Sequence, residues 1–368
     1  MSLVRADAAT VLPALWGDPG RSGYDAIIDA RSPSEFMLDH LPQAVNWPSL
    51  DDEQRHEVGT LYKQVSTFEA RKRGAAWVAR NIAQHLEREM PGLPRTWKPL
   101  VYCWRGGQRS GALALVLSQI GFEVTVLQGG YRSFRQEVVK ALASAGEGLR
   151  WHVLCGKTGT AKSRLLQGLL AQGAQVLDLE ALASHRGSVL GDLPTQPQPS
   201  QKRFETMLWR ALNQLDPHQP VFVESESAKV GKLRLPPALI QSIRQAPCTQ
   251  LDMPVHARVD LLMNDYRHLV EDVPTLCRRL AALVELRGAA TVAHWQDLAQ
   301  RGNMVQLVQE LLEHHYDPIY MRSMTRNFSR LQSAPTLALA NAHPESLQQA
   351  AQALIRGVGQ TSSCAGQL

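Results

Sequence analysis

Paired cysteines, long apolar runs and a strong charge of either sign are all missing from this chain of 368 residues. Its five cysteines, at 103, 155, 248, 277 and 364, are scattered and form no Cys-x-x-Cys pair. That excludes a disulfide framework, speaks against a structural zinc site, and makes a reducing cytoplasm the expected compartment. No apolar stretch approaches the ~20 residues needed to cross a bilayer. The opening Met-Ser-Leu-Val-Arg-Ala-Asp lacks the charged-then-apolar layout of a signal peptide, so neither a membrane nor a secreted protein is expected. Basic side chains number 39 and acidic ones 34, a net charge of +5. This excess is too small for a histone-like binder but permits contact with phosphates. It is densest in residues 151–250, where 11 basic groups face 7 acidic ones.

What is present is an α/β pattern. Short apolar runs at 24–29, 100–103 and 124–127 read as strands, and the apolar stretch 110–120, ending at Gly121, as the helix joining the last two. Strand, helix, strand implies a parallel sheet. Residues 67–90 have helical periodicity. A second set of strands is expected at 151–155, 175–178 and 220–224, after the polar stretch 145–148. Residues 193–201, with three prolines and three glutamines, read as a loop, and from about 254 onward the pattern is helical. The expected division is therefore 1–145, 146–253 and a mainly helical 254–368 whose tail frays.

Cys103 ends a strand and is followed by Trp104-Arg105-Gly106-Gly107-Gln108-Arg109-Ser110 and a helix. Such a loop points backbone N–H groups at one spot and binds anions. With Arg105 and Arg109 it should favour a thiolate, making Cys103 a nucleophile able to hold an anionic adduct. The alternative, a buried small hydrophobe, fits poorly with two glycines and two arginines in six residues. The Cys-x5-Arg spacing equals the cradle length of cysteine phosphatases.

A second loop, Gly156-Lys157-Thr158-Gly159-Thr160-Ala161-Lys162-Ser163, lies between a strand and a helix and follows the P-loop pattern except at Ala161, where glycine is usual. An alanine is tolerable there if φ is negative, because only a methyl is added. Gly156 and Gly159 would let backbone amides wrap a diphosphate, Lys162 would neutralise it, and Ser163 could ligate Mg²⁺. Glu224 and Asp178, at strand ends, are candidate metal-associated carboxylates.

Three motifs in order around Cys103 resemble a rhodanese domain over about residues 12–138. They are Asp29-Ala30-Arg31-Ser32-Pro33-Ser34-Glu35-Phe36, His40-Leu41-Pro42-Gln43-Ala44-Val45-Asn46-Trp47-Pro48, and Val126-Leu127-Gln128-Gly129-Gly130-Tyr131. Gln43 replaces the usual glycine, with no consequence expected. Asp29, Arg31, Glu35 and His40 are expected to brace loops by ion pairs and hydrogen bonds. Many single-domain rhodaneses have a cradle one residue shorter, so the longer loop here suits a larger, phosphate-bearing chalcogen donor.

With the P-loop added, the chain resembles the tRNA 2-selenouridine synthase family through most of its length. The resemblance runs through 58–64, Asp178-Leu179-Glu180, His185-Arg186-Gly187-Ser188, 200–205, Glu224-Ser225-Glu226-Ser227 and His315-Tyr316-Asp317-Pro318-Ile319-Tyr320. That family's P-loop usually has glycine at the Ala161 position and no lysine at Lys157. The resemblance implies a cytoplasmic enzyme, expected to be a monomer, acting on the anticodon stem-loop of tRNA. Geranyl diphosphate would alkylate the sulfur of a wobble 2-thiouridine. Selenophosphate would then supply selenium, carried by Cys103 as a selenyl-sulfide, and the geranyl-thio group would leave. Arg186, Lys202 and Arg203 are candidate RNA contacts, and Phe204, Met207 and Trp209 are either core or a prenyl groove. The rival readings are a thiosulfate sulfurtransferase or a Cys-x5-Arg phosphatase with a nucleotide-binding regulatory domain, and a non-catalytic RNA-binding protein.

Overall fold

A computed structural model describes residues 2–15, 23–188, 191–193 and 196–364. It separates into two compact units, one made of 1–145 with 199–214, the other of 146–198 with 215–368.

The first unit holds a parallel sheet in the order β1-β5-β4-β2-β3, made from β1 (Ser2–Ala6), β2 (Ala26–Asp29), β3 (Val45–Asn46), β4 (Pro99–Tyr102) and β5 (Glu123–Leu127). β4 is buried at all four positions, as a strand covered on both faces must be. β1 pairs in register with β5, Ser2 to Glu123 through Ala6 to Leu127. The sequence pattern did not reveal β1, because an edge strand with exposed Leu3 and Val4 has no buried run to mark it. The helix Gln108–Ile120 ends at Gly121, whose φ of 119° no side chain favours. Leu113, Ala114 and Leu117 pack from it onto Val101, Val124 and Val126.

The segment 199–214 belongs to this unit, although it lies in the middle of the second in chain order. Its helix, Gln201–Asn213, begins with Ser200 capping Arg203 N–H. It sets Trp209 edge-on against Phe134, with ring centroids 5.6 Å apart, and Thr206 Oγ1 donates to Asp39 Oδ2 at 2.9 Å. Phe204 and Trp209 are therefore core, not a prenyl groove. Buried Asp39 is held above the usual carboxyl pKa by desolvation, against the lowering effect of Tyr131 and Thr206.

The second unit has a parallel sheet ordered β12-β11-β6-β8-β7. Its strands are β6 (Arg150–Gly156), β7 (Gln175–Leu177), β8 (Pro220–Glu224), β11 (Cys248–Asp252) and β12 (Thr336–Ala338), and a short hairpin joins β9 (Lys229–Val230) to β10 (Leu233–Arg234). β11 and β12 were not legible in the sequence. β12 has only three residues and lies inside a helical pattern, yet it continues the sheet beside β11. The C-terminal region is thus part of the P-loop unit and not a third domain. Its helix Pro344–Cys364 sets Leu347, Ala351 and Leu354 against Leu165 and Leu169 of the helix Lys162–Ala171. Helices from 267 to 311 form a separate apolar cluster around Trp295, Leu280 and Leu307.

Candidate active sites

In the first unit Cys103 follows β4 and is 3% exposed. Its Sγ accepts a hydrogen bond from Ser110 Oγ at 3.1 Å, and its carbonyl accepts one from Tyr131 N–H at 2.8 Å. The Gly129-Gly130 turn packs directly on the cysteine loop. A Cβ on Gly130 (φ +58°) would lie 2.1 Å from the Cys103 carbonyl oxygen, and one on Gly106 (φ +65°) 2.5 Å from that of Leu127. Only glycine fits either position. Below the loop, buried Arg31 clamps Asp29, from Nη2 to Oδ2 at 2.5 Å and from Nε to both oxygens at 3.0 Å. Arg31 also donates to the Asp39 carbonyl at 2.6 Å and lies over the Tyr131 ring. Arg109 is engaged: its Nη1 donates to Glu35 Oε2 at 2.7 Å. Burial opposes the charge of Glu35, but Arg109 overrides it and holds the carboxyl below its ordinary pKa. Arg105 is exposed. His40 stacks on Phe36, 3.9 Å between centroids, with Nδ1 2.9 Å from the Phe36 carbonyl oxygen.

In the second unit the P-loop joins β6 to the helix Lys162–Ala171 at the C-terminal edge of the sheet, where open α/β sheets bind ligands. Ala161 adopts φ +61°, so the condition under which an alanine is accommodated freely is not met: the loop keeps the glycine-type turn and the alanine carries the strain. Gly156 has no room for a side chain, since a Cβ would lie 2.6 Å from Thr160 Oγ1. Lys162 Nζ donates to the Gly156 carbonyl at 2.8 Å and the Lys157 carbonyl at 3.2 Å. Burial works against its charge, but Tyr320, Glu180, Glu224 and Glu226 outweigh that and raise its pKa. Arg258, 2% exposed, ties the loop from behind: Nε donates to the Thr158 carbonyl at 2.8 Å, and Nη1 and Nη2 grip Asp317 at 2.9 and 2.5 Å. Gly156 N–H donates to the hydroxyl oxygen of Tyr320 at 3.4 Å.

Ser163 Oγ donates to Glu180 Oε2 at 2.8 Å and lies 3.3 Å from Glu224 Oε2. Glu180, Glu224 and Glu226 bring their carboxylate oxygens within 4.8 Å of one another. Burial, then mutual repulsion, pushes Glu224 well up and Glu226 to about 8. Three crowded carboxyls beside one lysine are short of positive charge, and with Ser163 they are an oxygen donor set that suits a hard divalent cation. Asp178 is not among them. It caps the helix Leu179–Ala183, accepting from Ala181 N–H at 2.8 Å. Glu180 and Glu226 carried no recognisable signal beyond their place in the family motifs.

The P-loop lines a cavity of about 600 Å³ whose far wall is apolar, with Leu262, Ile319, Met324 and Phe328. A chamber of about 60 Å³ adjoins it, sharing Thr158, Ser188, Leu262, Tyr266 and Tyr316 and closed by Leu269, Leu276, Met304, Leu307 and Leu311. Residues 312–316 form a π-turn that carries Tyr316 to the shared wall. Arg186 faces the cavity, donating to the Asp265 carbonyl and lying over the Tyr266 ring. Arg203 is in the first unit, donating to the His40 carbonyl at 3.3 Å, and Lys202 beside it is exposed. Arg186 thus belongs to the second unit, and Lys202 and Arg203 to the first.

Residues 14–137 match the rhodanese-like domain family and residues 149–282 the tRNA 2-selenouridine synthase AAA domain family. The chain is 30% identical over 347 residues to the tRNA 2-selenouridine synthase of Nitrosomonas eutropha, covering 82% of this chain and 88% of that one. The chain belongs to the tRNA 2-selenouridine synthase family. The Sulfurovum relative of the same name is 30% identical over 334 residues, covering 83% of this chain and 90% of that one. The Nitrosomonas europaea relative is 37% identical over 244 residues, 65% of this chain and 63% of its own length. Cys103 and its loop fall in the first matched region, and the P-loop with Glu180, Glu224 and Glu226 in the second, while Asp317, Tyr320 and the cavity wall at 316–328 lie beyond it. Among the described residues no helix is long and apolar enough to cross a membrane.

Proposed function

We propose that this member of the family converts wobble 2-thiouridine of tRNA to 2-selenouridine through an S-geranyl intermediate, with geranyl diphosphate and selenophosphate as co-substrates. The apolar far wall of the P-loop cavity, together with the small apolar chamber that adjoins it, supports the geranyl part of this reading. A P-loop alone suits any polyphosphate, whereas a P-loop with a leucine-lined recess and no polar partner at its end suits a diphosphate joined to a hydrocarbon.

In the first step the thiocarbonyl sulfur attacks C1 of the geranyl group, the C–O bond to diphosphate breaks, and the N3 proton is lost. The P-loop amides and Lys162 meet the charge that gathers on the departing diphosphate. Ser163, Glu180, Glu224 and Glu226 would hold Mg²⁺, whose contribution is further neutralisation of that charge. Alkylation prepares the second step, because an S-alkyl thiolate leaves C2 more readily than a bare thiocarbonyl sulfur. In the second step the selenium of selenophosphate, seated against Cys103 in its glycine-shaped anion loop, adds to C2. The C2–S bond breaks, geranylthiol leaves with a proton, and water cleaves the Se–P bond to release phosphate, so no change of oxidation state is needed.

Two variants separate the steps. Cys103→Ser is expected to stop selenium incorporation and let S-geranyl-2-thiouridine accumulate. Lys162→Ala is expected to slow geranylation roughly a hundredfold or more, corresponding to about 3 kcal/mol, while already geranylated RNA is still selenated. Mass spectrometry of tRNA nucleosides reads both. Selenouridine formed at the wild-type rate by Cys103→Ser would remove the cysteine from the mechanism.

A further inference from the structure

The helix Gly130–Leu142 buries Tyr131, Phe134, Val138 and Leu142. Its other face presents Arg132, Arg135, Gln136, Val139 and Lys140, which at spacings of three and four stack along one side. Together with Trp104 and Lys202 that face walls an open groove of about 390 Å³. Four of the lining residues are cationic and none is acidic. Arg135 is paired with Glu205. Arg132, Lys140 and Lys202 are exposed and face the groove. Val139, 54% exposed, adds an apolar spot among them.

Trp104 gives the groove its second property. It is half-buried, anchored against Tyr131 with ring centroids 5.4 Å apart. Its carbonyl accepts from Arg132 N–H at 3.1 Å, and the Cys103 carbonyl accepts from Tyr131 N–H at 2.8 Å. The start of the groove is thus stitched by backbone to the cysteine loop, one residue from the nucleophile. A fixed aromatic followed by a row of cations along ~12 Å of helix, without an acid among them, matches the chemistry of single-stranded nucleic acid: a platform for a base and charges for successive phosphates.

We infer that this groove seats the single-stranded anticodon loop, with a base stacked on Trp104 and phosphates on Arg132, Lys140 and Lys202, so that the wobble nucleotide is presented to the Cys103 loop. The inference rests on the tRNA substrate proposed above. It moves RNA recognition from the basic stretch 151–250 to a face made mainly by residues 104–140.

The test uses the full chain and a fluorescent anticodon stem-loop RNA, with binding followed by anisotropy over a range of KCl concentrations. Arg132→Glu with Lys140→Glu is expected to weaken binding tenfold or more and to flatten the dependence of log K on log salt by about 0.7 for each phosphate no longer neutralised. Trp104→Ala is expected to weaken binding roughly tenfold with the salt slope unchanged, and Trp104→Phe to recover most of it. Wild-type affinity and slope in the double charge reversal would overturn the inference alone. Retained RNA binding with lost selenium delivery from a selenophosphate-producing protein would mean that the groove docks a protein, and would overturn it too. A wild-type chain that binds no anticodon RNA would overturn the tRNA reading itself.

Discussion

Two positions where the family pattern has glycine are occupied here by residues with side chains, and both keep a glycine-type backbone: Gln43 at φ 64° and Ala161 at φ 61°. The left-handed region costs an L-residue about 1–2 kcal/mol. Restoring glycine removes that cost but adds about 0.4–1 kcal/mol of unfolded-state entropy. For Gln43 little else changes, because the side chain is exposed. Gln43→Gly should therefore stabilise by ~0.5–1 kcal/mol, raising the apparent midpoint of the unit's thermal transition by roughly 2 °C. Ala161 differs. Its methyl is 7% exposed and packs in the cluster with Leu165 and Leu166. Losing a buried methyl costs about 0.8 kcal/mol, which cancels most of the relief, so Ala161→Gly should leave stability within ~0.5 kcal/mol of the parent. Differential scanning calorimetry of the two variants side by side checks the contrast. If Ala161→Gly gains more than Gln43→Gly, or if Gln43→Gly lowers the midpoint, backbone strain is not what these positions carry.

Two further outcomes follow from the P-loop unit. Leu307→Trp should fill the apolar chamber and cut geranylation at least tenfold while calorimetric binding of inorganic diphosphate stays intact; geranylation at the parental rate would place the prenyl chain elsewhere. Burial and Glu180 raise Glu226 to about 8, so the folded chain binds more protons than the unfolded one from the ordinary carboxylate range up to that value. Metal-free stability should accordingly fall as pH rises through this interval toward about 8. Mg²⁺ binding, which needs the carboxylates ionised, should strengthen over the same interval. A flat stability profile between pH 6 and 8.5 would contradict the crowding of the three glutamates.

Local order along the chain carries both loops. The strand–loop–helix runs at 99–120 and 150–171 show in the sequence because each element is contiguous and its pattern of apolar residues and glycines is set by neighbours a few residues away. Cys103, Lys162 and Ser163 are legible for the same reason. Everything that depends on distant segments meeting was left to the tertiary structure. The periodicity of 201–213 says that one face of a helix is buried, but not that Trp209 would find Phe134 of the first unit. Three residues of β12 join a sheet only because β11 offers an edge. Glu180, Glu224 and Glu226 come from two strand ends 44 residues apart and become a cluster only where β7 and β8 lie side by side. Arg258 and Asp317 look like ordinary surface charges until folding buries Arg258 behind Thr158 and pairs it with Asp317. Backbone sign was hidden as well. The sequence leaves the φ of Ala161 open, whereas the loop's closure between β6 and its helix holds it in the left-handed region, because the fold sets φ and the side chain only bears the cost.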